Sequence, residues 1–234
     1  MAPSISIILP TLNEERGIIE TLEKINQLGL DKEVLVVDGL STDNTIKNAK
    51  AHGARIIIEK RKGKGVAMAT GVKAARSDII CFLDGDGTYP PRFIPKMLEL
   101  IKNCDVVVAS RLLKKEGAYD CVNTFIHYRF FPFIFRTYFE KFKTSEPISG
   151  MRLMRKETWN KLNLKANDFM IETEMEVQMA KNKMKVIEIP IPCIKRIGRS
   201  KWDASWGTVL KIRGYVKRNE KYLKDLVVIR NPHV

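Results

Sequence analysis

The chain has 234 residues, of which 44% are hydrophobic, so it can form one large domain or two small ones around a normal core. Lysine and arginine number 41 against 27 acidic residues, and the net charge of +14 favours an anionic partner. No apolar run reaches the roughly 18 residues of a spanning helix, and the N-terminus lacks the pattern of a signal peptide. We therefore expect a protein that is soluble or bound to a membrane only at its surface.

The positive charge is concentrated towards the C-terminus. Residues 183–234 contain 13 Lys or Arg and 4 Asp or Glu, which is +9 of the +14. Nucleotide phosphates, nucleic acid or an acidic membrane suit such a surface, and a solvated basic face is the ordinary alternative. The four cysteines form no Cys-x-x-Cys pair, and Cys81 and Cys104 lie in or beside apolar runs. This cysteine usage suggests a reducing compartment and no structural zinc.

Apolar runs of strand length alternate with helical patterns along the first half of the chain. We predict strands at 4–10, 33–38, 54–58, 79–83 and 105–109, and helices at 15–28, 41–52, 63–75 and 93–101. Gly29 is the predicted stop of the first helix, and Ser41 is the predicted N-cap of the second. This alternation predicts a mostly parallel sheet with helices on both faces. Ligands bind such sheets beyond the carboxyl ends of the strands.

Polar residues follow three of these strands. They are the segment Pro10–Glu14, Asp38, and the pair Asp84 and Asp86. Side chains two positions apart in an extended chain point the same way, so the pair can present two carboxylates to one point. Such a pair suits Mg²⁺ or Mn²⁺ shared with substrate phosphates, and an ordinary polar turn is the alternative. Gly63-Lys64-Gly65 is weaker, because a plain strand-to-helix turn explains it equally well.

The pattern changes in the second half of the chain. Aromatic and basic residues crowd together at 122–142, which favours helices at a membrane interface over a pair of core helices. After this segment we predict a glycine turn and strand at 149–155, a helix at 171–181, and a strand at 186–192 near a sheet edge. The basic loop 195–202 suits a diphosphate, and 204–224 can form an amphipathic basic helix.

In their order, these motifs resemble the inverting glycosyltransferases of the GT-A fold and family 2 type, above all the dolichyl-phosphate and polyprenyl-phosphate hexose transferases. The segments that carry the resemblance are 9–14, 36–45, 63–71, 84–86, 110–111, 149–152, 172–174 and 196–201. There are two departures. Asp38-Gly39 stands where the family often has Asp-Asp, and Glu146 stands where an Asp usually precedes the Ser-Gly-x-Arg turn.

The resemblance implies a single α/β domain of the GT-A (Rossmann-like) fold, with its mostly parallel sheet covered on both faces. Residues 1–110 would form a nucleotide-binding half, residues 111–203 an acceptor half with interfacial helices at about 122–142, and residues 204–234 a basic helix and tail. The implied reaction moves a hexose from a UDP-sugar or GDP-sugar to a polyprenyl phosphate, with inversion and with Mg²⁺ or Mn²⁺. The implied location is the cytoplasmic face of a membrane, with peripheral attachment and without nucleic acid as a partner.

The resemblance also implies roles for individual residues. Asp84 and Asp86 would bind the metal, and Asp86 would also orient the acceptor as the catalytic residue. The nucleotide-sugar would contact Pro10, Asn13, Glu14, Asp38, Gly65, Asp84, Asp86, Arg196, Ser200 and Lys201. The acceptor would contact Arg111, Arg129 and Arg152.

Three other functions compete with this one. A related transferase with a soluble or glycan hydroxyl acceptor would need Asp86, Glu172 or Glu174 as a general base. A nucleotidyltransferase would consume a nucleoside triphosphate on a similar sheet. A nucleic-acid-binding module is supported only by the charge, and it leaves the carboxylates at the strand ends unexplained.

Overall fold

The computed structural model describes residues 4–113, 141–198 and 206–231. They form an eight-stranded sheet with the strand order β3-β2-β1-β4-β6-β5-β7-β8. The strands are β1 (Ile5–Thr11), β2 (Lys32–Asp38), β3 (Arg55–Ile58), β4 (Ile79–Phe82), β5 (Val106–Ser110), β6 (Arg152–Arg155), β7 (Lys185–Pro190) and β8 (Val227–Arg230). Neighbouring strands are parallel except that β6 runs antiparallel to both β4 and β5. The sheet is therefore mostly parallel, as predicted.

Seven α-helices lie on the two faces of the sheet in the described residues. They are α1 (Gly17–Asn26), α2 (Thr45–Ala51), α3 (Lys64–Ala74), α4 (Ile94–Leu100), α5 (Lys156–Leu162), α6 (Met170–Lys181) and α7 (Trp206–Leu223). Side chains alternate along each strand, so β1 sends Ile8 into one core cluster and Ile7 and Leu9 into another. The first cluster contains residues of α3, α5, α6 and α7, and the second contains residues of α1, α2 and α4. Both faces of the sheet are therefore buried, which explains the continuous apolar character of its strands.

Every strand and helix predicted within the described ranges is present, with changes at its ends. The first helix ends at Asn26, three residues before Gly29, and α2 begins at Thr45 rather than at Ser41. Strand β7 lies next to the edge, and the edge itself is β8, which we did not predict. Helix α5 was not predicted either. Residues 122–140 of the predicted interfacial helices lie outside the described residues, and the division into nucleotide and acceptor halves stays a prediction.

The cysteines and the lengths of the helices bear on where the protein is located. Cys81 and Cys104 are free, buried thiols, but Cys193 is disulfide-bonded. Among the described residues, no helix combines the length and the apolar character that crossing a membrane requires.

Candidate active site

Asp38 ends β2 and organises the loop that follows it. Its side chain is fully buried, and both carboxylate oxygens accept hydrogen bonds from Ser41: Oδ1 from the backbone N–H at 2.7 Å and Oδ2 from the hydroxyl at 2.6 Å. The Ser41 hydroxyl also accepts the backbone N–H of Asn13 at 2.8 Å, and Asn13 has a left-handed φ of 52°. The predicted N-cap role of Ser41 is therefore wrong, because Ser41 joins the loops after β1 and β2 instead.

Arg196 brings together the loops after β1, β4 and β7. Its guanidinium donates to Glu14 Oε1 and to Asp86 Oδ2. The other oxygen of Asp86 accepts the backbone N–H of Thr88 at 3.0 Å and the Thr88 hydroxyl at 2.6 Å. The backbone N–H of Ile197 donates to the Asp86 carbonyl at 3.0 Å. Three residues that the sequence predicted for one site thus meet, with a cation between two buried carboxylates.

Asp84 forms a second charged group with Lys64 and Glu172. The ammonium of Lys64, at the first position of α3, lies 2.7 Å from Asp84 Oδ1 and 2.7 Å from Glu172 Oε1. Burial lowers the pKa of Lys64, but the two carboxylates raise it more, so the ammonium stays charged. Burial raises the pKa of Glu172, and Lys64 opposes that rise. The sequence did not predict this contact, although Lys64 lies in the Gly-Lys-Gly motif.

The glycines of that motif allow a close backbone approach. Gly63 has a φ of 122°, and a Cβ on Gly65 would lie 2.2 Å from the carbonyl oxygen of Ala166. The backbone N–H of Val66 donates to the carbonyl of Asn167 at 3.2 Å. Gly65 was predicted to contact the nucleotide-sugar. The structure places Gly65 against the backbone of Ala166 and Asn167 in the segment that leads into α6, and its predicted contact with the nucleotide-sugar stays a prediction.

Arg111 and Glu146 connect the two ends of segment 112–144. The backbone N–H of Arg111 donates to Glu146 Oε2 at 2.6 Å, and its Nε donates to Oε1 at 2.8 Å. The hydroxyls of Ser110 and Ser145 are 2.7 Å apart. The guanidinium of Arg111 also lies 4.6 Å from the centre of the Tyr89 ring. Glu146, the residue that departs from the family pattern, therefore holds the predicted acceptor residue Arg111 in place.

Arg152 lies in the core and has no exposed surface. Its guanidinium donates to Glu176 Oε1 at 2.7 Å, to the carbonyl of Ser149 at 3.0 Å and to the carbonyl of Pro147 at 2.6 Å. These contacts give the residue a structural role. None of its surface is open to an acceptor in this structure, and its predicted acceptor contact stays a prediction.

The remaining predicted residues divide into two groups. Pro10 lies in β1, in register with Val37 of β2, at the edge where the site forms. Arg129, Ser200 and Lys201 lie outside the described residues, so their predicted contacts stay predictions. Tyr89 was missed by the sequence reasoning. It is buried, and its hydroxyl accepts the backbone N–H of Gly150 at 2.7 Å beside Asp84.

The fold and the site together define an α/β protein with a strongly charged, carboxylate-containing site at the carboxyl edge of a mostly parallel sheet. Comparison with known proteins is consistent with this class. The family described as Glycosyl transferase family 2 matches residues 6–162. Glycosyltransferase AglJ of Haloferax volcanii is 33% identical over 193 residues, which are 80% of this chain and 62% of that protein. The chain therefore belongs to glycosyl transferase family 2.

Two further relatives carry more specific names. The dolichyl-phosphate hexose transferase of Haloferax volcanii is 29% identical over 85% of this chain and 86% of that protein. The dolichol-phosphate mannosyltransferase of Pyrococcus furiosus is 31% identical over 84% of this chain and 58% of that protein. The chain thus spans less than two thirds of the length of both AglJ and the mannosyltransferase.

A solved structure confirms the fold class. The glucosyl-3-phosphoglycerate synthase of Mycobacterium tuberculosis, in complex with Mn²⁺ and UDP-glucose, superposes with a TM-score of 0.67 at 20% identity. The match covers 93% of this chain and 79% of that one. At this identity the likeness shows the fold, which is the predicted GT-A arrangement.

Proposed function

We propose that the protein transfers a hexose from a nucleotide-diphosphate sugar to a polyprenyl phosphate at a membrane surface, with inversion at the anomeric carbon. The observation that carries this proposal is the presence of two charged groups at the carboxyl edge of the sheet. One is Arg196 with Glu14 and Asp86, and the other is Lys64 with Asp84 and Glu172. The relatives named for dolichyl-phosphate and dolichol-phosphate transfer support the acceptor class.

The residues present fit a divalent metal ion. Asp84 and Asp86 offer carboxylate oxygens, the hard ligands that Mg²⁺ and Mn²⁺ prefer. The described residues contain no group of three or more His, Cys, Asp or Glu side chains placed to hold a metal. Two carboxylates suffice where the substrate diphosphate supplies the remaining oxygens. When bound, the metal would neutralise charge on the departing diphosphate, and structures of the mycobacterial synthase contain Mn²⁺ or Mg²⁺ with UDP.

Arg196 is the residue best placed to bind the diphosphate. It is about one quarter exposed, and its fork-shaped guanidinium matches phosphate oxygens. Its buried Nε–H has no hydrogen-bond partner among the described residues. A bound diphosphate would accept a hydrogen bond from this Nε–H. It would also compete with Glu14 and Asp86 for the other N–H groups of the guanidinium.

The nucleoside would lie against the loops after β1 and β2. Asp38 is fully buried, so its position favours support of this surface over direct contact with the base or ribose. The exposed residues of these loops include Leu12, Asn13 and Leu40, and Ser41, itself held by Asp38, fixes the backbone of Asn13.

The state of the candidate bases favours a phosphate acceptor. Asp86 accepts hydrogen bonds from Thr88 and Arg196, and Glu172 is paired with Lys64. Glu174 Oε2 accepts the backbone N–H groups of residues 165 and 166 at 2.9 and 2.7 Å. Each base that a hydroxyl acceptor would require is therefore already engaged. A phosphate is an anion near neutral pH and needs positioning more than deprotonation, for which Arg111 and Arg129 are the proposed contacts.

A small phosphorylated alcohol is the second candidate acceptor. The glucosyl-3-phosphoglycerate synthase of Mycolicibacterium smegmatis is 36% identical over 133 residues, which are 50% of this chain and 44% of that protein. In this case Asp86, Glu172 or Glu174 would have to leave its present hydrogen-bond partner to act as a base.

A transfer assay separates the two candidates. The protein is incubated with Mn²⁺ and radiolabelled UDP-glucose, UDP-N-acetylglucosamine or GDP-mannose, with either a polyprenyl phosphate in detergent or 3-phosphoglycerate. We expect label in the solvent-extractable lipid with one donor. Label only in the soluble product would establish the second candidate. A protein that melts at an unchanged temperature with every donor and transfers no label would overturn the proposed function.

A further inference from the structure

Helix α7 packs along the body of the protein with one face only. Ile212, Val216 and Leu223 are buried in the core cluster that also contains residues of α3 and α6. Their spacing of four and seven residues puts them on one stripe of the helix. From residue 210 to the end of the helix, the opposite face is turned to solvent along about 20 Å.

This outer face carries a continuous set of cations. Five lie on the helix and one directly after it, and all six are exposed: Lys211, Arg213, Lys217, Arg218, Lys221 and Lys224. None of the six forms an ion pair with a carboxylate of the described chain. The single acidic residue of the helix, Glu220, lies at the border of this face and is paired with Lys141 at 2.7 Å.

An apolar residue is exposed among these cations. Leu210 has 56% of its surface accessible and lies one turn before Arg213 and Gly214 on the outer face. Helices that lie in a membrane interface combine Lys and Arg with exposed Leu in this way. The outer face of a straight helix can meet a planar surface along its length, which suits a bilayer.

We propose that the outer face of α7 binds the surface of an anionic lipid bilayer. The six unpaired cations supply the attraction to lipid phosphates and carboxylates, and Leu210 enters the boundary between headgroups and acyl chains. This surface goes beyond the proposed transfer reaction, because it recognises the bulk lipid and needs no polyprenyl phosphate.

Vesicle sedimentation tests the proposal directly. Wild-type protein is mixed with vesicles of phosphatidylcholine alone or of phosphatidylcholine with phosphatidylglycerol, both free of polyprenyl phosphate. We expect binding to the second kind only, weakened by salt. The variant Arg213→Gln/Lys217→Gln/Lys221→Gln should bind roughly 100-fold more weakly, since each cation near an anionic surface increases partitioning about five-fold. Glutamine retains helix propensity, and circular dichroism checks the fold.

A matched control removes the same charge elsewhere. Lys47→Gln/Lys50→Gln/Lys73→Gln changes three exposed lysines of α2 and α3 and should leave vesicle binding within about two-fold of wild type. Equal losses in both triple variants would show that net charge alone drives binding and would overturn the proposal. So would unchanged binding of the α7 variant.

Two further arms complete the test. Failure to bind either vesicle, together with salt-sensitive binding of duplex DNA that the α7 variant loses, would assign the face to nucleic acid and overturn the lipid proposal. Asp84→Asn should bind vesicles like wild type although it transfers no sugar. The surface and the reaction can therefore fail independently of each other.

Discussion

Removal of the Arg152 guanidinium should destabilise the protein severely without touching a substrate. In Arg152→Ala, the Glu176 carboxylate stays fully buried with only its hydrogen bond from Thr144 at 2.7 Å. Breaking a buried ion pair in this way costs about 3–5 kcal/mol, and the carbonyls of Ser149 and Pro147 lose donors worth about 1 kcal/mol each. We expect a loss of about 5 kcal/mol or more, measured by urea unfolding, which is much of a typical domain's stability.

The pH dependence of this loss identifies its cause. Burial raises the pKa of the Glu176 carboxyl, and Arg152 opposes that rise. Without Arg152 the pKa rises further, so the carboxyl is protonated in the folded state over a wider pH range. A carboxyl with a raised folded-state pKa contributes stability below its unfolded pKa and loses it as pH rises through the folded one. The defect of Arg152→Ala should therefore be smaller at about pH 5 than at about pH 8.

A double variant decides between a structural and a substrate-binding role. Arg152→Met/Glu176→Leu removes both charges and should recover most of the stability, to within about 2 kcal/mol of wild type. Its KM for the acceptor should be unchanged. The reasoning would be refuted if the double variant were no more stable than Arg152→Ala, or if it folded normally with a greatly raised acceptor KM.

Three further outcomes are expected. Asp84→Asn should lower the rate of transfer at least about 100-fold while the melting transition remains, and undiminished turnover would exclude the metal role. Gly65→Ala should destabilise the protein by about 1–3 kcal/mol, because its Cβ would meet the carbonyl of Ala166; Gly29→Ala, with nothing near its Cβ, should stay within about 0.5 kcal/mol of wild type. Arg61 and other hydrogen-bond donors lower the pKa of Glu59 from 4.5 to about 2, so urea titrations should show stability falling as pH drops through this interval, and Glu59→Gln should abolish that part of the pH dependence.

The sequence predicted the sheet and the edge where the site lies because these depend on local patterns. Apolar strands end in polar residues at Asp38 and Asp84, and parallel strands bring such ends to one edge. The order of family motifs placed Arg196, Glu14 and Asp86 in one site, but it did not predict their direct contact. Arg196 and Glu14 are 182 residues apart in the chain, so no local sequence pattern predicts that they touch.

The errors have an equally physical origin. The predicted N-cap role of Ser41 was wrong and the ion pair of Arg152 with Glu176 was missed, because a Ser can also join loops and a buried Arg can also complete a core network. Only the partners distinguish these uses, and the partners come from tertiary structure. Strand β8 was missed because Val227 and Ile229 are exposed at the sheet edge and show no clear alternation.

The hydrogen bonds between Ser110 and Ser145 and between Arg111 and Glu146 have an evolutionary consequence. They hold the end of β5 against residues 145–146, so the two ends of segment 112–144 lie side by side. Lengthening a closed loop costs little, about 0.6 kcal/mol for each doubling. Segments of different length and composition can therefore be exchanged at this junction while the strands that carry Asp38 and Asp84 stay unchanged. Members of one family can in this way diverge in their acceptors and still share a donor site.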